Sequence, residues 1–91
     1  MIIGISQRVY KLDSYNEYRD SLDQRLIDWV SNFGYTPVPI PNTLVSGDQH
    51  TGLLNWINKI KIDAIILSGG NDIGEIKHRD LTENFLLSWA E

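Results

Sequence analysis

Hydrophobic residues in this chain are grouped into short segments of two kinds. Residues 2–6 and 63–67 are almost continuously apolar, which is typical of strands buried in a parallel sheet. Residues 17–33 and 51–60 have apolar side chains at spacings of three and four, which predicts amphipathic helices. Polar residues fill 7–16 and 43–50, which are predicted to be loops.

The first predicted helix has one apolar face, and its members are Tyr18, Leu22, Leu26, Trp29, Val30 and Phe33. We expect this face, and the Trp and Leu residues of the other helices, to form the core. Gly34 follows at the position where a glycine commonly ends a helix. The second helix has Asp48 or Thr51 as its candidate cap.

Residues 35–42 form an extended segment with proline at every second position from 37 to 41. Proline has no amide donor, so this segment cannot be an ordinary central strand. We predict an edge strand. After the third strand, residues 68–79 are predicted to be a long loop. A last helix should start at Asp80, with Glu83 completing a near capping box.

The element order β-α-β-α-β-α predicts an α/β fold with a three-layer parallel sheet flanked by helices. Ninety-one residues make one domain at most. A flavodoxin-like strand order 2-1-3 would put the carboxyl ends of strands 1 and 3 side by side. Ligands of open parallel sheets bind at such edges, so this edge is the predicted site.

In that arrangement, Arg8 would lie beside the segment Ser68-Gly69-Gly70-Asn71-Asp72. Adjacent glycines allow backbone amides to converge on an anion or oxyanion. Gly69 and Gly70 are therefore candidate oxyanion-binding residues, and Arg8, Asn71 and Asp72 are candidate substrate-binding residues for an anionic or carboxylate-bearing ligand. The alternative is that Gly69-Gly70 is a simple turn and Arg8 a solvated residue.

The composition narrows the chemistry further. A net charge of −4 gives no electrostatic reason to expect nucleic acid or an anionic membrane as a partner. The chain has no cysteine, which excludes disulfides, zinc-thiolate sites and a thiol nucleophile within these residues. His50 and His78 lack metal-ligand spacing, so we expect no metal and no cofactor. A cytoplasmic location is the simplest interpretation.

Five segments form an ordered series in this chain: Ile3-Gly4-Ile5-Ser6, Arg19-Asp20-Ser21-Leu22-Asp23-Gln24, Gly34-Tyr35-Thr36-Pro37-Val38-Pro39-Ile40-Pro41-Asn42, Leu67-Ser68-Gly69-Gly70-Asn71-Asp72 and Arg79-Asp80-Leu81-Thr82-Glu83. This series resembles the amino-terminal part of class I glutamine amidotransferase-like proteins. It is most similar to their γ-glutamyl hydrolase (peptidase C26-like) branch, and within it to members that act on γ-glutamyl conjugates in surface-polysaccharide modification. The resemblance extends over all 91 residues.

The resemblance implies that residues 1–91 are the amino-terminal part of one incomplete domain. It also implies hydrolysis of a γ-glutamyl amide, or of glutamine, through a cysteine thioester with a histidine base and an orienting glutamate. Of that machinery, only Gly69 and Gly70 match the family's oxyanion loop. Arg79, Asp80 and Glu83 match a family motif that we interpret as structural.

Two other hypotheses are weighed against an enzyme fragment. The chain could be a non-catalytic interaction module whose exposed sheet edge pairs with a copy of itself or with a separate chain that carries the catalytic residues. It could also be an unrelated flavodoxin-like or receiver-like domain. Ser6-Gln7-Arg8 argues against that, because it is neither an acidic magnesium site nor a Ser/Thr-rich phosphate loop.

We predict that these 91 residues alone do not hydrolyse γ-glutamyl amides, because no thiol is present to form the thioester. The measurement is glutamate release by the purified chain, with its mass verified, from a γ-glutamyl amide. Release above the rate of a buffer blank would contradict the prediction.

Overall fold

A computed structural model describes residues 1–12, 17–45 and 51–68, together with residues 82, 86 and 87. Its strands are β1 (Ile2–Ile5), β2 (Arg8–Leu12), β3 (Glu17–Ser21), β4 (Thr36–Pro39) and β5 (Ala64–Ile66). Its helices are α1 (Gln24–Asn32) and α2 (Thr51–Ile60), and a short 3-10 helix, η1, spans Asn42–Leu44.

Three of the strands form a parallel sheet in the order β4-β1-β5. Ile3 of β1 is in register with Pro37 on one side and with Ala64 on the other. This order is the predicted 2-1-3 arrangement, with β1 in the centre. The prediction of an α/β fold with a parallel sheet is therefore confirmed for this part of the chain.

The helices cover opposite faces of this sheet, because successive side chains of a strand point to opposite sides. Ile3 and Ile5 of β1 form a buried cluster with Val30 of α1. The other face is covered by a second cluster that includes α2 and a residue from the final segment, and its buried members are Ile40, Val45, Leu53, Ile57, Ile62 and Leu86. The β5 residues are half-buried, whereas the sequence predicted burial on both faces.

Gly4 allows the second cluster to approach the central strand closely. A Cβ atom built on Gly4 would lie 2.9 Å from Cδ1 of Ile62 and 3.0 Å from Cδ1 of Ile40. Both distances are shorter than normal carbon-carbon contacts, so these side chains occupy the space that a larger residue would need. The second cluster can therefore pack against the centre of β1 only because residue 4 is glycine.

β4 lies at an edge of the three-stranded sheet, as its prolines predicted. The backbone amides of Thr36 and Ile40 donate hydrogen bonds to the carbonyl oxygens of Met1 and Ile5, at 3.0 and 2.9 Å. Pro37 and Pro39 alternate with these donors. A proline-rich strand can therefore pair with β1 along one side without losing its hydrogen bonds to that strand.

The ends of α1 follow from two residues. The Asp23 carboxylate accepts a hydrogen bond from the backbone amide of Arg25, which caps the amino terminus of the helix. At the other end, Gly34 has a φ angle of +84°, which L-residues with a side chain adopt at a cost. Gly34 also donates to the carbonyl oxygen of Ser31 at 2.9 Å. The prediction that Gly34 ends this helix is confirmed.

Two predictions about residues 7–33 were wrong. The segment 7–16 was predicted to be a loop, and 17–33 to be a single helix. Instead, β2 and β3 form an antiparallel hairpin, and α1 begins only at Gln24. Tyr18 and Leu22 match a helical spacing by coincidence. The 17–21 segment extends because its backbone groups pair with β2, a partner that lies outside any local window of sequence.

The prediction that the aromatic residues of this segment are core was also wrong. Tyr18, Trp29 and Phe33 remain 52%, 55% and 60% exposed. Trp29 and Phe33 instead contact each other edge to face, with ring centroids 4.9 Å apart. Once the hairpin replaces the first turns of the predicted helix, α1 is short and buries Val30 rather than this pair. In α2, Leu53 is buried and Leu54 exposed.

Several predictions fall outside the described residues. These are the cap at Asp48, the loop 69–79, and the helix start at Asp80 with Glu83. α2 begins at Thr51 as predicted. η1 occupies the start of the predicted 43–50 loop. Residues 82, 86 and 87 are helical, and Leu86 is buried in the cluster on the α2 face.

We predict that Gly4→Ala destabilises the fold by about 1–3 kcal/mol, since the added methyl must displace Ile62 and Ile40 in a packed cluster. The measurement is the free energy of unfolding in urea. Asn58→Ala, at an exposed position of α2, is the control and should change it by less than about 0.5 kcal/mol. Equal stability of Gly4→Ala and the unmutated chain would show that residue 4 is not tightly packed.

Candidate functional site

The ends of β1 and β5 are joined by hydrogen bonds between two serines. The backbone amide of Ser68 donates to Oγ of Ser6 at 2.9 Å, and the Ser68 hydroxyl donates to the backbone carbonyl of Ser6 at 2.6 Å. The Ser6 amide continues the strand ladder by donating to the Ile66 carbonyl at 3.0 Å. The segment that starts at residue 6 and the one that reaches residue 68 therefore meet at one edge of the sheet, as the strand order predicted.

A cavity of about 440 Å³ opens at this edge, between the sheet, the hairpin and the amino terminus of α1. It is lined by Arg8, Ser21, Leu22, Asp23, Leu26, Ile66, Leu67 and Ser68. We call this cavity the cleft. Charged and hydroxyl side chains lie beside apolar walls, which suits a small ligand with one ionic group and an aliphatic part.

Arg8 is the first residue of β2 and brings a positive charge to the cleft. Its guanidinium lies over the ring of Tyr10, with Cζ 4.6 Å from the ring centroid. This cation–π contact helps to position the guanidinium in the cleft. The Arg8 Nε atom is buried and has no hydrogen-bond partner among the residues that the structure describes. A buried donor in this position is suited to an acceptor on a ligand.

Asp23 brings a negative charge to the same cleft, but that charge is paired. Its carboxylate contacts the Arg25 guanidinium at 2.7 Å, and the pair lies on the surface. The side-chain hydrogen bonds from Arg25, with the capping bond from the Arg25 amide, lower the pKa of Asp23 to about 2. Asp23 therefore stays ionised at neutral pH with Arg25 as its partner, while Arg8 has no ion pair among the described residues.

The hairpin is attached to the rest of the molecule through Asn42, the first residue of η1. Asp20 of β3 accepts hydrogen bonds from the Asn42 backbone amide at 3.1 Å and from Asn42 Nδ2 at 2.9 Å. Asn42 Nδ2 also donates to the Gln7 carbonyl at 3.2 Å, and Gln7 Nε2 donates to the Ile40 carbonyl at 3.0 Å. These bonds connect the base of the hairpin, at Gln7 and Asp20, to Ile40 and Asn42, which follow β4.

The structure thus brings Arg8 and Ser68 into one cleft, whereas Gly69, Gly70, Asn71 and Asp72 lie outside the described residues. Ser21, Leu22 and Asp23 were not predicted as cleft residues, because residues 17–33 were predicted to form one helix. One local signal was available: residues 8–12 read Arg-Val-Tyr-Lys-Leu, in which Val and Tyr favour a strand.

A second cavity, of about 330 Å³, lies on the α1 face of the sheet and has no charged side chain in its lining. In the described ranges, no group of three or more His, Cys, Asp or Glu residues is arranged to hold a metal ion. None of the helices in the described part of the chain combines the length and the apolar character needed to cross a membrane.

Comparison with models of protein families, with curated proteins and with solved structures finds no match to this chain.

We predict that the Asp23 carboxyl titrates near pH 2 and that Arg25→Met raises its pKa toward the ordinary value of 3.8. Because the pKa is lowered in the folded state, the contribution of Asp23 to stability is present above about pH 4. It should be lost as the pH falls from 3.8 toward 2. Carboxyl-carbon NMR during an acid titration measures this pKa.

Arg19→Met is the matched control, because it removes the same side chain from the hairpin, where Arg19 pairs with Glu17 instead. It should leave the titration of Asp23 unchanged. The interpretation is wrong if Arg25→Met has no larger effect on the Asp23 pKa than this control.

Proposed function

We propose that this chain forms the substrate-binding side of a γ-glutamyl amide hydrolase of the glutamine amidotransferase type. The thiol nucleophile, its histidine base and the orienting glutamate would be supplied by other residues, since this sequence has no cysteine. The observation that carries the proposal is the cleft at the carboxyl ends of β1 and β5, with the buried Nε of Arg8 at its wall.

The position of the cleft supports the proposal. Open parallel sheets bind ligands beyond the carboxyl ends of their strands, where the chain passes to opposite sides of the sheet. In this chain the central strand leads directly to Ser6 and Arg8, and the neighbouring β5 leads to Ser68. The two predicted oxyanion donors, Gly69 and Gly70, are the next residues along the chain.

The chemistry of the cleft supports a carboxylate-bearing substrate. A guanidinium can donate two parallel hydrogen bonds to a carboxylate, which an ammonium group cannot do. A γ-glutamyl group offers an α-carboxylate followed by two methylene groups, and Leu22, Leu26 and Ile66 provide apolar surface for them. In this proposal Arg8 binds the carboxylate and so fixes the distance to the scissile amide.

The proposed division of roles follows the thioester mechanism. Attack by a thiolate on the γ-amide carbonyl puts negative charge on the carbonyl oxygen, and backbone amides of Gly69 and Gly70 would donate hydrogen bonds to it. Asn71 and Asp72 would contact the polar groups of the substrate. No metal or cofactor is needed for this reaction, and a cytoplasmic location remains part of the proposal.

A second candidate function is a non-catalytic module that pairs with a separate chain. It is favoured by β5, which has no second strand partner among the described strands. Leu67, at its end, is 40% exposed. An added strand there would place residues of the partner at the mouth of the cleft. This module and the hydrolase proposal differ in whether the cleft itself binds a γ-glutamyl compound.

We predict that L-glutamine binds in the cleft and that L-glutaminamide, in which the α-carboxylate is replaced by a neutral amide, binds at least about tenfold more weakly. Arg8→Met should weaken L-glutamine binding by about ten- to hundredfold, and Arg8→Lys should also weaken it because the planar pair of donors is lost. The measurement is an NMR titration that follows the Ser68 amide.

Arg19→Met again serves as the control, since it removes a guanidinium from the same hairpin but not from the cleft. It should change the affinity by less than about twofold. The proposal fails if L-glutaminamide binds as well as L-glutamine, or if Arg8→Met has no effect.

A further inference from the structure

We infer that Asp20 and Asn42 are positioning residues for the cleft. Their hydrogen bonds determine which face of the β2–β3 hairpin turns toward the sheet edge, and they thereby hold Arg8 in place. The identity of the ligand that Arg8 binds rests on the proposed function, whereas the position of Arg8 does not.

The hairpin needs such an anchor because it is a separate two-stranded sheet. Two strands alone are marginally stable in water, and their orientation depends on contacts with the rest of the molecule. Arg8 does not provide the anchor, since its described contact is with Tyr10 of the same strand. The exposed pair between Arg19 and Glu17 is likewise internal to the hairpin.

The pairing of the strands sorts the hairpin residues onto two faces. Residues directly opposite each other share a face, and successive residues alternate. Val9 is opposite Asp20 on one face, whereas Arg8 is opposite Ser21 on the other. Val9 is only 2% exposed, and Arg8 and Ser21 both line the cleft. The face that carries Asp20 therefore decides where the face that carries Arg8 points.

The contact between Asp20 and Asn42 is specific in geometry. One carboxylate oxygen accepts from the Asn42 backbone amide at 3.1 Å, and the other accepts from Nδ2 at 2.9 Å. Nδ2 uses its second hydrogen on the Gln7 carbonyl, so both of its neighbours are acceptors and the orientation of the amide is defined. Asn42 is completely buried, whereas Asp20 lies at an exposed position, so these charge-assisted bonds are shielded from water on the Asn42 side only.

Asn42 makes these hydrogen bonds although one of its own polar atoms remains unpaired in the described part of the chain. Its Oδ1 atom is buried and has no hydrogen-bond partner within the described residues. Leaving a buried carbonyl unpaired is unfavourable. The hydrogen bonds that Nδ2 and the backbone amide of Asn42 donate must therefore hold the side chain in this position. The acceptors of these bonds are Asp20 and Gln7, one on each side of the hairpin base.

The test is Asp20→Ala, which removes both acceptors from a side chain that does not line the cleft. Two quantities are measured by NMR: the affinity for L-glutamine, and the exchange rate of the Arg8 Nε–H proton with water. We expect the affinity to fall about tenfold and the exchange to become about tenfold faster. Amide signals of β1, β4 and β5 should be retained, because their pairing does not involve Asp20.

Two further variants complete the experiment. Glu17→Ala removes an exposed carboxylate from the same strand and should leave both quantities unchanged. Asp20→Asn keeps the shape and one acceptor oxygen, so its effect should be intermediate. If Asp20→Ala loses the amide signals of β1, Asp20→Asn provides the test of the positioning role, because it retains more of the native contact.

The outcomes separate this inference from the proposed function. If the unmutated chain does not bind L-glutamine, the proposed function is wrong, and the Arg8 exchange rate still tests the positioning role. If Asp20→Ala and Asp20→Asn bind L-glutamine and protect the Arg8 proton like the unmutated chain, the positioning role is wrong. A lower melting temperature with unchanged affinity and exchange would assign Asp20 a structural role only, which also overturns the inference.

Discussion

The backbone of β1 is the element on which the rest of this structure depends. It hydrogen-bonds to β4 along one side and to β5 along the other, and these two strands have no further strand partner in the described ranges. Ser6 extends the same ladder and connects to Ile66 and Ser68. Because Gly4 has no side chain, Ile40 and Ile62 of the cluster on the α2 face pack closely on this strand. The four residues of β1 therefore position the sheet, the two hydrophobic clusters and the edge that forms the cleft.

The cleft depends on two kinds of interaction, the burial of apolar side chains and directional hydrogen bonds. Burial of apolar side chains is non-directional and fixes the helices on the sheet, with Val30 on one face and Ile57 on the other. The hairpin contributes little to either cluster. Its orientation depends on the directional hydrogen bonds between Asp20 and Asn42, on the same face as the buried Val9. A polar, partly exposed element placed in this way can present a charged side chain without the cost of burying it in the core.

The parts of the fold that could be predicted from sequence are those with a local physical signature. Prolines at alternate positions specify an edge strand, Gly34 specifies a left-handed helix end, and a continuous apolar run specifies β5. The hairpin has such a signature only in residues 8–12, where Val9 and Tyr10 favour a strand, whereas residues 17–21 become a strand only through pairing with them. The position of Arg8 beside Ser68 followed from strand order, whereas the residues that orient Arg8 could not be predicted without the hairpin.

The prolines of β4 have a consequence for association between molecules. Since the amides of Thr36 and Ile40 point toward β1, the intervening positions 37 and 39 point outward, and proline leaves this outer rim without N–H groups there. A foreign strand could still donate to the outward carbonyl oxygens of Pro37 and Pro39, but it would find no N–H donors there, so a complete ladder could not form. Fibrillar growth by edge-to-edge stacking requires that both edges of the sheet in every molecule pair with the sheet of a neighbouring molecule. With the β4 rim short of donors, pairing with another strand is favoured at β5, which has no second strand partner in the described part of the chain.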